Sequence, residues 1–145
     1  MFADLMKRLT DPAPAPLPDT DARLALTALL VRVARSDNDY SAAERDRIRE
    51  IIALRYALDD GGRDALLSDA ETFEAEAPDT VRFTRAIKDA VPYDDRRAVV
   101  EALWHVALAD GRRAKEEDAL LRLVANLLGV TDVDSATARK RAEGG

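Results

Sequence analysis

The sequence predicts an all-α, single-domain helical bundle of about seven helices. Three observations lead there. Apolar residues recur at steps of three and four between cap residues and glycine or proline breaks, the period of a helix with one buried face. Apolar runs of period two bounded by turn residues, the mark of strands, do not persist anywhere. The chain also repeats weakly on itself at an offset of 73 residues: Leu30, Val33, Ala34, Asp37, Glu44, Arg49 and Leu54 stand against Leu103, Val106, Ala107, Asp110, Glu117, Arg122 and Leu127. Both copies straddle a helix end, a short polar loop and a helix start. The expected unit is therefore a helical hairpin used twice around one core.

Residues 1–18 are expected to stand apart from a helical domain over residues 19–145. A short amphipathic helix over residues 1–9 leads into a stretch with proline at every second position from 12 to 18. Alternate prolines forbid helix and favour an extended linker. Asp19 or Thr20 can cap a helix running to about Ser36, and Ser41 one running to about Tyr56. Asp59, Gly61 and Gly62 interrupt the pattern before a weaker helix over residues 63–76. Pro78 and Asp79 precede a helix to about Ala90, and Pro92 and Tyr93 precede one over residues 94–109. A helix over residues 115–128 stops at Gly129, and Asp134 opens a last short basic helix.

With 145 residues and 15.9 kDa, the chain is long enough to bury one core without staples. Its 47% hydrophobic and 34% charged residues suit a folded domain rather than a disordered one. There is no cysteine, which excludes disulfides, thiolate nucleophiles and Cys-ligated zinc, and the single histidine leaves little for a triad or a multi-histidine metal site. The net charge of −6 argues against nucleic acid or an anionic membrane as partner. No run approaches the ~20 apolar residues of a membrane span, and residues 1–9 are too short an apolar region for a signal peptide. A cytoplasmic protein without membrane insertion is expected. Residues 60–63 hold two glycines but lack the Lys-Ser/Thr of a phosphate-binding loop. Hydrolysis by paired carboxylates would need a substrate cleft, which the sequence does not show, so the expectation is that the chain is not an enzyme.

The acids fall on the apolar stripes. Leu26, Leu30 and Val33 lead to Asp37, as Val99, Leu103 and Val106 lead to Asp110. Beyond each loop, Glu44 heads Ile48 and Ile51, and Glu117 heads Leu121, Val124 and Leu128. Each hairpin thus brings carboxylates together at a half-sheltered corner, where mutual repulsion and desolvation disfavour bare charge. A hard cation with oxygen ligands, Ca²⁺ or Mg²⁺, would relieve this, as would an arginine or backbone N–H groups. The first loop is the richer in oxygen, with Asp37, Asn38, Asp39 and Glu44; the second carries Arg112, Arg113 and Lys115, which can neutralise its acids. The candidate ligands are therefore Asp37, Asp39 and Glu44, followed by Asp110 and Glu117. Neither loop is an EF-hand, since the twelfth position from Asp37 is Ile48 rather than a glutamate. A metal-free explanation stands beside this one. Ser41 and Glu44 have the spacing of a capping box, and the aspartates can close Asx-turns. Ala114 takes the place of Ser41 in the second hairpin, so Glu117 has no reciprocal cap.

Elsewhere Trp104 shares a stripe with Val100 and Ala107 and is expected in the core, whereas His105 lies off it and is expected at the surface. Asp94 and Asp95 suit the first turn of a helix.

The segments Val33-Ala-Arg-Ser-Asp37 with Glu44, and Val106-Ala-Leu-Ala-Asp110-Gly111 with Glu117, resemble the tellurite-resistance TerB-like family. Residues 82–88 add a further matching helix, and the resemblance spans residues 19–130. It implies an all-helical domain of two pseudo-symmetric halves with acidic loops that bind divalent cations. It also implies a role in bacterial stress or metalloid response, as an assembly component with a protein partner rather than as an enzyme. Asn38 and the basic second loop depart from the family's acidic Asp-Gly pattern. The alternative is a metal-free protein–protein interaction module whose acids are helix caps. Without thiols, any contribution to tellurite tolerance would be indirect.

Overall fold

The structure, a computed structural model, describes residues 5–7, 19–36, 40–108 and 115–144, with only the backbone described at 19 and 115–118. Seven helices follow in order: α1 (Asp19–Ala34), α2 (Ala42–Tyr56), α3 (Asp60–Glu76), α4 (Thr80–Ala90), α5 (Tyr93–Ala107), α6 (Lys115–Leu127) and α7 (Asp132–Gly144). Residues 5–7 add an eighth helical segment, and no strand occurs among the described residues. Leu5 from that segment is buried in the core.

α1 is the central helix. It packs against α2, α3, α4 and α5, and Ala25, Leu26, Thr27, Ala28, Leu29, Leu30 and Val31 are all buried. The single stripe read from the sequence is too narrow a description here, because neighbours on several sides leave little of the helix for water. α5 has a similar position in the other half, against α6 and α7, with Val99, Val100, Leu103, Trp104 and Val106 buried. The expected core place of Trp104 is found; His105 is partly buried rather than fully at the surface. On α6, Leu121, Val124 and Leu128 form the buried stripe as expected. On α2 that stripe runs through Ile48 and Ile52, with Ile51 only partly buried.

Two pairs of helix boundaries share one spacing. α1 ends at Ala34 and α5 at Ala107, while α2 begins at Ala42 and α6 at Lys115, so both boundaries recur at 73 residues. Leu54 departs from the match, being 86% exposed.

Most boundaries follow local chemistry. The Ser41 hydroxyl accepts the Glu44 N–H, and Asp79 accepts the Arg82 N–H. α3 starts earlier than the glycines suggested. The Asp59 carboxylate accepts the Gly62 N–H at 2.7 Å, so Gly61 and Gly62 become a capped first turn instead of a break. α1 stops two residues short of Ser36, whose N–H and hydroxyl both turn back to the Val33 carbonyl. α7 begins at Asp132, two residues before the expected start, with the Thr131 hydroxyl accepting the Asp134 N–H.

The stop at Gly129 is as the sequence indicated. Its φ is 73°, and the Gly129 N–H bonds to the Asn126 carbonyl while the Val130 N–H reaches the Ala125 carbonyl. This is the Schellman arrangement, which glycine enters without steric cost. A Cβ at this position would lie 2.9 Å from both Arg96 Nη1 and Lys88 Cε. Arg96 is not free to retreat, because it donates to the carbonyls of Val91 and Leu128 and so caps the ends of α4 and α6 together. Gly129→Ala is expected to lower the unfolding free energy by about 1–3 kcal/mol. Urea titration checks it, and a change below about 0.5 kcal/mol would show the turn to be slack.

Candidate functional site

Described residues on either side of the two acid-bearing loops come together around one small space. A narrow cleft of about 10 Å³ is walled by Ser36 after α1, Glu44 of α2, Val106 and Ala107 of α5, and Leu120 and Leu121 of α6. These residues flank both loops. Glu44 is 6% exposed, so the sheltered position expected for it is found. Its carboxylate accepts the Ser41 N–H at 3.1 Å while its own N–H reaches the Ser41 hydroxyl, which completes the capping box. The cleft has room for about one water. A cation with six or more oxygen ligands would need to draw them from the loops themselves.

Asp37, Asp39 and Asp110 lie outside the described residues. Glu117 lies on α6, and its side chain too is outside them. Of the five acids singled out, the structure therefore places only the Glu44 side chain. Among the described residues no group of three histidines or acids is arranged to hold a metal ion.

The residues that bracket the first loop are held by an ion-pair lattice on α3, which the sequence reading missed. Before the loop, Arg35 reaches Glu74 at 3.0 Å and its guanidinium stands 5.2 Å from the centre of the Tyr40 ring, which follows the loop. Arg32 joins the same carboxylate at 2.9 Å. On α2, Arg45 pairs with Glu71 at 3.1 Å. Burial pushes the Tyr40 hydroxyl well above its usual pKa, and the Glu71 carboxylate beside it pushes it further. For Glu71 itself, burial is the largest influence and raises the pKa, but the hydrogen bonds from Arg45 and Tyr40 and the charges of Arg45 and Arg35 together outweigh it and hold the carboxyl below its usual range. The loop thus leaves and rejoins the fold through two side chains stacked on one another above α3. A signal was available: Arg32 and Arg35 three apart, against Glu71 and Glu74 three apart, place paired charges on two helix faces.

At the other corners the acids serve the scaffold. Asp94 and Asp95 lie in the first turn of α5, and Asp95 pairs with Arg55 at 3.3 Å. The Tyr93 hydroxyl donates to Asp134 at 2.6 Å and accepts the Thr131 N–H, tying α5 to the start of α7. Among the described residues no helix is long and apolar enough to cross a membrane.

A family model described as "Tellurite resistance protein TerB" matches residues 23–140, which reaches ten residues beyond the stretch over which the resemblance was read. No curated protein and no solved structure matches the chain.

Proposed function

The chain belongs to the TerB family, and on that premise we propose that it is a non-enzymatic assembly or regulatory module of the bacterial stress and tellurite response. Its acidic pole takes up a divalent cation weakly, Ca²⁺ or Mg²⁺, and the ion fixes the corner surface offered to a protein partner in the cytoplasm. The supporting observation is the shared cleft, whose walls come from both hairpins. Loops that leave one pole can pool their oxygen ligands, as one corner alone could not easily do. In this reading Asp37, Asp39, Asp110 and Glu117 are the ligands, and Glu44 holds the start of α2 through its capping box. The basic residues 112, 113 and 115 keep the affinity modest.

Calorimetric titration with Ca²⁺ and Mg²⁺ tests this. Saturable heat with a dissociation constant on the order of 10⁻⁴–10⁻³ M is expected, lost in the Asp37→Asn, Asp110→Asn double variant while its unliganded melting temperature stays put. No saturable heat from either ion would replace the reading with its alternative, the metal-free interaction module. The capping box favours that alternative specifically, because it gives Glu44 a sufficient role without an ion. Growth under tellurite of cells with and without the chain tests the physiological part, and equal tolerance would remove it. With no cysteine in the sequence, any effect on tellurite must pass through another component.

A further inference from the structure

Arg35 and Tyr40 bracket the first loop, one before it and one after. Their side chains meet, with the Arg35 guanidinium 5.2 Å from the centre of the Tyr40 ring. Neither is free to swing away. Arg35 Nη1 donates to one oxygen of the Glu74 carboxylate at 3.0 Å, and Arg32 holds the other oxygen at 2.9 Å. Tyr40 is partly buried against the core, beside the Arg45–Glu71 pair. A cation–π contact whose cation is anchored on α3 thus joins the two ends of the loop.

A second observation comes from the chain itself. At the offset of 73 residues, Leu108 stands where Arg35 does and Arg113 where Tyr40 does. An aliphatic side chain and a guanidinium cannot make that contact, so the second loop lacks the residues for it. Stability is not what the contact serves. The bonds to the Pro78 and Glu74 carbonyls come from Arg32, whereas the Arg35 side chain is 37% exposed and weakly held.

We infer that Arg35 and Tyr40 are positioning residues that clasp the ends of the first loop, with Glu74 as the anchor. The clasp orders residues 37–39 relative to α1 and α2 and makes the two loops unequal. Its consequence rests on the cation reading proposed above: an ordered loop presents its oxygens at a smaller entropic cost, so the first loop contributes more to ion affinity than the second. The clasp itself does not need an ion.

Amide hydrogen exchange of the full-length, ion-free chain tests it. The Ser36 N–H bonds to the Val33 carbonyl and the Ser41 N–H to the Glu44 carboxylate, so these two amides flank the loop and report on its ends. The Gly129 N–H, bonded to the Asn126 carbonyl, reports on the rest of the fold. Arg35→Gln and Tyr40→Leu are each expected to speed exchange at Ser36 and Ser41 about three- to tenfold while Gly129 is unchanged. Tyr40→Phe keeps the ring and is expected to stay within about twofold of the wild type. The Arg35→Gln, Tyr40→Leu double variant is expected to exchange no faster than the faster single one, because either change opens the same contact. Unchanged exchange at both serines overturns the inference, and so does a speed-up that Gly129 shares or that Tyr40→Phe reproduces.

Calorimetric titration of the same variants with Ca²⁺ tests the consequence. A similar fold loss of affinity in Arg35→Gln and Tyr40→Leu supports it, and an affinity that both variants keep overturns it. Absence of saturable heat from the wild type removes the cation reading instead, and the exchange rates still decide the clasp.

Discussion

Arg32→Ala is expected to lower the unfolding free energy by about 3–5 kcal/mol, the cost of breaking a buried ion pair rather than a surface one. Arg32 is the staple between the central helix and the α3–α4 turn. Its guanidinium donates to the Glu74 carboxylate at 2.9 Å, to the Pro78 carbonyl at 2.9 Å and to the Glu74 carbonyl at 3.1 Å. It also reaches the Ala77 carbonyl at 3.4 Å and stands 5.6 Å from the centre of the Phe83 ring. Truncation removes all of these and leaves a carboxylate that is 7% exposed with Arg35 as its remaining partner. Lysine would not restore the site, because one ammonium cannot serve a carboxylate and three carbonyls in the fork geometry of a guanidinium.

Arg35→Ala gives the contrast within the same network. Its side chain is 37% exposed, and solvent screens its share of the pairing, so a loss below about 1 kcal/mol is expected. Urea unfolding of the two variants separates them. Equal losses would mean that Glu74 is held by net charge alone, and that the carbonyl contacts of Arg32 add nothing.

This network also marks where the sequence stopped being legible. The capping box at Ser41 and Glu44, the helix start after Pro78 and Asp79 and the stop at Gly129 all act within a few residues, so their signals are contiguous and legible. Asp59 shows how local signals compete: the two glycines spoke for a break, yet the carboxylate satisfied the Gly62 N–H and the helix began before them. α1 shows the limit of periodicity. A stripe at Leu26, Leu30 and Val33 is visible in the sequence, but burial of every residue from Ala25 to Val31 depends on neighbours from four other helices. The link from Arg32 to Glu74 spans 42 residues; the paired spacing marks a charged face on each helix, but not that the two faces meet. Of the candidate site, the sheltered place and the capping role of Glu44 were legible because helix geometry fixes both. That residues flanking both loops line one cleft is a fact of how α1, α2, α5 and α6 pack, and spacing along the chain does not contain it.

Phe83→Ala carries the second large effect, an expected loss of about 3–5 kcal/mol from the removed apolar contact and the cavity left behind. Phe83 is 0% exposed, and its ring meets Phe73 edge-on at 6.1 Å between centroids with 62° between the planes. One ring thus joins α4 to α3, and the Arg32 guanidinium above it joins both to α1. Because the ring and the guanidinium touch, their losses should not add. The Arg32→Ala, Phe83→Ala double variant is expected to be more stable than the sum of the single changes predicts, by about 0.5–2 kcal/mol. Urea unfolding of the four proteins of this cycle measures that difference. Additivity within about 0.3 kcal/mol would show that the aromatic pair and the ion-pair staple hold the α1–α3–α4 junction independently. A measured coupling would show that they are one unit, in which the ring shields the Arg32–Glu74 pair from water and the cation in turn stabilises the buried ring face.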